Sequence, residues 1–177
     1  MKKFGRTSFK EVDGFENILT KDVQEIIEKL YDKFSPTIVK LRQQRLKLIK
    51  NVLDNKNINP INILFKESSV ENLKLNVPDQ LLTPGIEISG PSSQTSMFIN
   101  GLNPNREGFR ADGDLDDNED ASGHTLDDTV RSAINRKGAV LGNLEFFDEN
   151  KNKKYSIEQG KLPFFMHRER GILLDEA

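Results

Sequence analysis

Apolar side chains recur at Val23, Ile26, Ile27, Leu30, Tyr31 and Phe34, the spacing of one helix face. Thr20 precedes the run as an N-cap candidate, and Asp22 falls in the first turn, where the helix dipole favours an anion. Ser35-Pro36 then predicts a break, because serine caps a helix and proline fits the first position of the next. The second helix, carried by Ile38, Leu41, Leu46, Ile49 and Val52, is expected to run to about Leu53. Two helices joined so tightly predict an αα-hairpin. Residues 54–85 contain Pro60, Pro78 and Pro84 among asparagines and read as an irregular connection.

From Gly85 the apolar runs shorten. Ile86–Ser89 predicts a strand ending at Gly90-Pro91, and Met97, Phe98, Ile99 and Leu102 predict a short helix ending near Asn103-Pro104. Phe109–Leu115 predicts a second strand that runs into acid. Thr125 followed by Asp128 is a variant of the capping box and opens a helix expected to reach about Asn135, with Gly138 ending it. Ala139–Phe147 and Lys154–Ile157 predict a hairpin around the polar loop 148–153, and Leu162–His167 a last apolar strand. Strand, helix, strand and helix in alternation, with a late hairpin, predict an α/β chain behind a helical N-terminal region. The expected division is an arm over 1–19, a helical region with an irregular linker over 20–85, and an α/β region over 86–177.

Composition narrows the function classes. The chain has 177 residues and no cysteine, which excludes thiolate metal sites, cysteine nucleophiles and disulfides. The net charge of −2 excludes a strongly basic nucleic-acid binder. No apolar run is long enough to span a membrane. The N-terminus lacks a secretory apolar region and the C-terminus is not a peroxisomal tripeptide, so the expectation is a cytoplasmic protein, with a peroxisome or glyoxysome as the other compartment. Residues 1–85 carry 15 basic and 11 acidic side chains, and residues 86–177 carry 11 and 17, so the two regions differ in sign.

Three groups carry candidate chemistry. Lys40, Arg42, Arg45, Lys47 and Lys50 form a basic stripe, read as a solvated face, with a phosphate-facing surface as the alternative. Asp112, Asp114 and Asp116 alternate as calcium-loop ligands do, but Asp117 stands where the loop needs glycine and Gly123 where it needs glutamate. The group reads as an acidic solvated loop or, at the end of a parallel strand, as substrate-facing carboxylates. Of the two histidines, His124 is expected in a loop and His167 packed at a strand end. Arg168 follows an apolar strand, where a guanidinium can hold a small carboxylate bidentately or stabilise a developing oxyanion.

Five stretches together resemble malate synthase, its A-type enzymes in particular. ILTKDVQEIIEKLYDKFSPTIVKLRQQR resembles that family's opening helices. GIEISGP resembles VEITGP, and SMFINGLNPN resembles KMVINALN. FRADGDLDD resembles FMADFEDS, and LPFFMHRERGILLDE resembles RxRGxHLPE. The resemblance runs from Ile18 onward in the family's order and covers that family's N-terminal portion only.

It implies a helical N-terminal region followed by the opening strands of an incomplete TIM (β/α)₈ barrel with an inserted β-hairpin. A full barrel takes about 250 residues, and 92 follow residue 85 here. The implied reaction is a transferase step of the glyoxylate and tricarboxylic acid cycles. Acetyl-CoA condenses with glyoxylate, and the product is hydrolysed to malate and CoA. Arg168 matches the family's catalytic arginine, with a role in orienting glyoxylate and holding the enolate. Asp114 and Asp116 are the other substrate-binding candidates. Magnesium is the implied cofactor, with its ligands and the catalytic base expected downstream of this chain. The isolated chain is expected to be inactive, and to find a protein partner or self-associate through the incomplete barrel. The alternative reading is a non-catalytic interaction or scaffold protein derived from the same fold.

Overall fold

The computed structural model describes residues 2–4, 7–55, 76–121 and 125–171. Contacts divide the chain into two compact units, residues 1–26 with 83–177, and residues 27–82. Most of the linker expected over 54–85, and His124, lie outside the described residues.

The first unit opens with an antiparallel pair, β1 (Lys2–Phe4) and β2 (Thr7–Phe9), in which Lys2 faces Phe9 across the ladder. A short helix, α1 (Phe15–Ile18), follows. Phe15 is its buried anchor and meets Phe9 edge-on at 5.5 Å. Gly14 before it has φ 75°, and a β-carbon there would collide with Ile134, so glycine serves both the turn and the close approach.

The central sheet has three parallel strands: β3 (Glu87–Gly90), β4 (Gly113–Asp117) and, last in the chain, β7 (Phe164–Arg168), in the order β3-β4-β7. Parallel neighbours need crossovers, and helices supply them. Helix α3 (Thr95–Leu102) links β3 to β4. Between β4 and β7 come helix α4 (Leu126–Val140) and the antiparallel hairpin of β5 (Glu145–Asp148) and β6 (Lys153–Ser156). This mixed architecture with a parallel sheet is α/β. The core joins Phe98, Ile99 and Leu102 of α3 to Ala139, Leu144 and Tyr155, with Phe165 of β7 edge-on to Phe98 at 5.6 Å. Arg110 braces this unit from outside. Its guanidinium donates to the carbonyls of Leu102, Glu158 and Gln159, tying the end of α3 to the chain leaving the hairpin.

Thr125 caps α4 as its sequence predicts: its hydroxyl oxygen accepts from the Asp128 amide at 3.2 Å and donates to the Asp128 carboxylate at 2.8 Å. The helix runs past Gly138 to Val140, further than expected. Gly138 is a packing glycine, since a β-carbon there would lie 3.2 Å from that of Leu144. The stop comes from Gly142 at φ 69°. Gly142 donates to Ala139 and Asn143 to Gly138, a Schellman closure.

The predicted αα-hairpin does not form. Residues Lys21–Asn55 make one continuous helix, α2, with Pro36 inside it. Proline removes one intrahelical donor. The carbonyl it would have bonded, that of Asp32, sits on an exposed turn within reach of solvent, and both flanks are rich in helix formers. The start is as expected, with Thr20 accepting from the Val23 amide at 3.5 Å. The second unit holds the rest of α2 and a 3₁₀ turn at Asp79–Leu81. The basic stripe from Lys40 to Lys50 is exposed. No helix among the described residues is long and apolar enough to cross a membrane.

Candidate active site at the strand ends

Of the two positions expected for the acidic stretch, a solvated loop or the end of a parallel strand, the second is observed for residues 113–117. Asp114, Asp116 and Asp117 are residues of β4 and all three are buried. Buried carboxylates are costly unless paired, so each raises the question of its partner. Side chains alternate along a strand, which puts Asp114 and Asp116 on one face of the sheet and Asp117 on the other.

On the first face, Asp116 is fully buried. It accepts from the Ser92 amide at 2.9 Å and from Arg136 of α4 at 2.7 Å, and Nδ1 of His167 lies 2.6 Å away. His167 is its register partner on β7. Nε2 of the same ring meets Glu169. The loop after β3 is tied in as well: Asn135 donates to the Ser92 carbonyl at 2.7 Å. Asp114 is less well served. Its Oδ2 has no hydrogen-bond partner among the described residues, and Asp114 lines a cavity of about 80 Å³ together with Ile88, Met97 and Phe98. Burial pushes the Asp114 carboxyl up to about 6, helped by the charges of Asp116 and Glu87.

On the second face Asp117 pairs with Arg168, again its register partner. Nε donates to Oδ1 at 3.0 Å and Nη2 to Oδ2 at 2.5 Å, the two-pronged geometry of a guanidinium on a carboxylate. Nη2 also reaches Asp120 at 2.5 Å, and Nε lies 3.6 Å from Glu119. Asp117 accepts two backbone amides besides, from Glu119 and Asp120. The Arg168 hydrogen bond holds its carboxyl down at about 2, against the opposing effect of burial. In return the Asp117 hydrogen bond raises the guanidinium's pKa, so Arg168 keeps its charge.

Arg168 and Asp117 therefore meet at the carboxyl ends of adjacent parallel strands, where open and closed α/β sheets bind their ligands. Nη1 takes no part in the Asp117, Glu119 and Asp120 contacts, and the Arg168 side chain is 40% exposed. Asp114 and Asp116 lie across the sheet, on the face packed against α3 and α4. Sequence reasoning missed Asp117 and the Asp116–His167 pair. The sign was there: two polar residues close each of two strands, Asp116-Asp117 and His167-Arg168, and in-register pairing brings both couples together. Among the described residues no group of three or more histidine or acidic side chains could hold a metal ion.

Curated proteins related to the chain point one way. The glyoxysomal malate synthase of Zea mays is 27% identical over 165 residues, which is 92% of this chain and 28% of that protein. The malate synthase of Arabidopsis thaliana is 34% identical over 101 residues, 57% of this chain and 17% of that protein. That of Myxococcus xanthus (strain DK1622) is 37% identical over 100 residues, 56% of this chain and 17% of that protein. The chain is similar to malate synthases. It spans between 17% and 28% of the length of these relatives. No family model matches it.

Proposed function

We propose that the chain supplies one part of a malate synthase active site. In this reading residues 86–177 form the opening strands of a (β/α)₈ barrel with the β5–β6 hairpin inserted, behind an arm over 1–19 and a helical region over 20–85. Substrates are acetyl-CoA and glyoxylate, and the setting is the glyoxylate cycle. The observation that carries the reading is the Asp117–Arg168 fork at the ends of β4 and β7.

The reaction needs an enolate made from the acetyl methyl, its attack on the aldehyde carbon of glyoxylate, and hydrolysis of the thioester. Charge develops first on the enolate oxygen and then on the former aldehyde oxygen. A fixed cation at that place lowers both barriers without reorganising. Arg168 fills this role through Nη1, which is left out of its contacts with Asp117, Glu119 and Asp120, and Asp117 fixes the plane of the guanidinium. A guanidinium stays protonated near neutral pH, so the base that takes the methyl proton is another group. The described residues do not fit a Mg²⁺ site, and no step assigned to Arg168 passes through the metal.

Complementation tests this. A malate synthase lacking the segment that matches this chain is mixed with the 177-residue chain, and CoA thiol release from acetyl-CoA is followed with glyoxylate and Mg²⁺ present. Release is expected only when the chain is added, and it is expected to disappear with Arg168→Ala. Equal release with Arg168→Ala would remove Arg168 from the chemistry. A wild-type chain that co-sediments with the truncated enzyme yet restores nothing would refute the proposal.

A further inference from the structure

We infer that α2 is a self-association surface on which two copies of the chain pair antiparallel. Leu30, Phe34, Ile38, Leu41, Leu48 and Val52 recur at helical spacing along one stripe of this 35-residue helix. Leu30 is 50% exposed, Phe34 44% and Leu41 54%. Every residue from Val39 to Asp54 is exposed. Most helical stability in proteins comes from burying such a face rather than from propensity, and exposed apolar stripes mark interaction sites.

Charge selects the partner and the direction. The half from Lys21 to Ser35 holds four carboxylates against three lysines, net −1, and the half from Pro36 to Asn55 holds five basic residues against one acid, net +4. Parallel pairing would set the two +4 halves side by side. It would also bring Arg45, which lies on the stripe between Leu41 and Leu48, against its own copy. Antiparallel pairing about a two-fold axis near Pro36 removes both conflicts. Phe34 then faces Ile38, Leu30 faces Leu41 and Val23 faces Leu48, each pair occurring twice by symmetry. Arg45 comes opposite Ile27, and Glu28 comes between Arg42 and Arg45 of the other copy. The shared stretch is about 45 Å long at the helical rise, and the helix dipoles oppose.

The chain has no cysteine, so single cysteines report the geometry directly. Sedimentation velocity of the 177-residue chain is expected to give a dimer of twice 20.1 kDa. Under mild oxidation, chains with Val23→Cys and chains with Leu48→Cys are expected to cross-link when mixed, while neither cross-links alone. Glu28→Arg, and separately the double substitution Arg42→Glu with Arg45→Glu, are expected to weaken the dimer at least tenfold, and mixing the two to restore it. Circular dichroism verifies that each variant keeps its helix. A monomeric chain overturns the inference, whether the face stays bare or is covered by other residues of the same chain. Self-cross-linking of each single-cysteine chain also overturns it, by showing a parallel pair. A dimer indifferent to the charge exchange places the interface elsewhere.

Discussion

Replacing Asp114 by asparagine isolates the least satisfied charge in the sheet. The carboxyl titrates at about 6 instead of 3.8, with burial the largest cause and Asp116 and Glu87 adding to it. At about 1.4 kcal/mol per pKa unit, ionising Asp114 costs the folded state about 3 kcal/mol relative to the unfolded chain. The sign follows from proton counting. Between pH 4 and pH 6 the folded state holds a proton on Asp114 that the unfolded chain has released, so stability falls as pH rises through that window. Below it both states are protonated and there is no penalty; above it the penalty is complete. Asparagine keeps the shape and cannot ionise. Its amide nitrogen enters a site where Oδ2 has no partner, and an unsatisfied buried donor costs about 1–3 kcal/mol at every pH.

Net stabilisation at pH 7 is therefore expected to lie between none and about 2 kcal/mol. The sharper expectation is the pH dependence. Urea unfolding of both chains at pH 4, 5, 6 and 7 gives the variant-minus-wild-type difference, in which the other carboxylates cancel. That difference should move in the variant's favour by about 2.4 kcal/mol from pH 4 to pH 7, since part of the effect has already appeared at pH 4. A flat difference would refute the buried, unpaired description of Asp114, whatever its absolute value.

Two further outcomes follow from the same geometry. Asp117 has a depressed pKa, so the stability it contributes is present above pH 4 and is lost as pH falls toward about 2; with Arg168→Gln its carboxyl resonance, followed by NMR, should titrate nearer 3.8, and an unmoved titration would mean that the amides of Glu119 and Asp120 hold it alone. Thr125→Ala should cost about 0.5–2 kcal/mol in urea unfolding through loss of the α4 cap, with Thr125→Ser close to wild type; equal losses in both would assign the effect to packing instead.

Local chemistry was legible wherever one residue decides an outcome. Thr125 with Asp128 announced the start of α4, Thr20 that of α2, and the apolar triplet Phe98, Ile99 and Leu102 the face of α3 in the core. Two readings failed for the same reason: a residue's usual habit yielded to its surroundings. Proline usually ends a helix, yet an exposed turn let α2 continue through Pro36. Glycine usually ends one too, yet Gly138 was needed against Leu144, and Gly142 four residues on supplied the left-handed turn. The strand-end placement of the acidic stretch is the one observed, and the solvated-loop reading underrated how carboxylates, poor strand formers, can be buried in a strand. What makes them tolerable in β4 lies on residues remote in sequence, on Arg136, His167 and Arg168.

That remoteness explains why the sequence pointed to Arg168 and missed the residue beside it. A single chain reads as a line, and a parallel sheet sets residues about fifty apart opposite one another. Once β4 and β7 are placed in register, the alternation of side chains assigns two jobs to four polar positions, two consecutive ones on each strand. Asp116 with His167 turns toward α4 and fastens the strand ends to the helix layer. Asp117 with Arg168 turns the other way and holds a cation at the strand ends. A slip of one residue in β7 would turn its side chains to the opposite faces, setting Arg168 against Asp116 and Glu169 against Asp117, which would be left buried without a counter-charge. The cost of that unpaired charge makes the acids of β4 a register lock, and the register in turn sets where Arg168 stands.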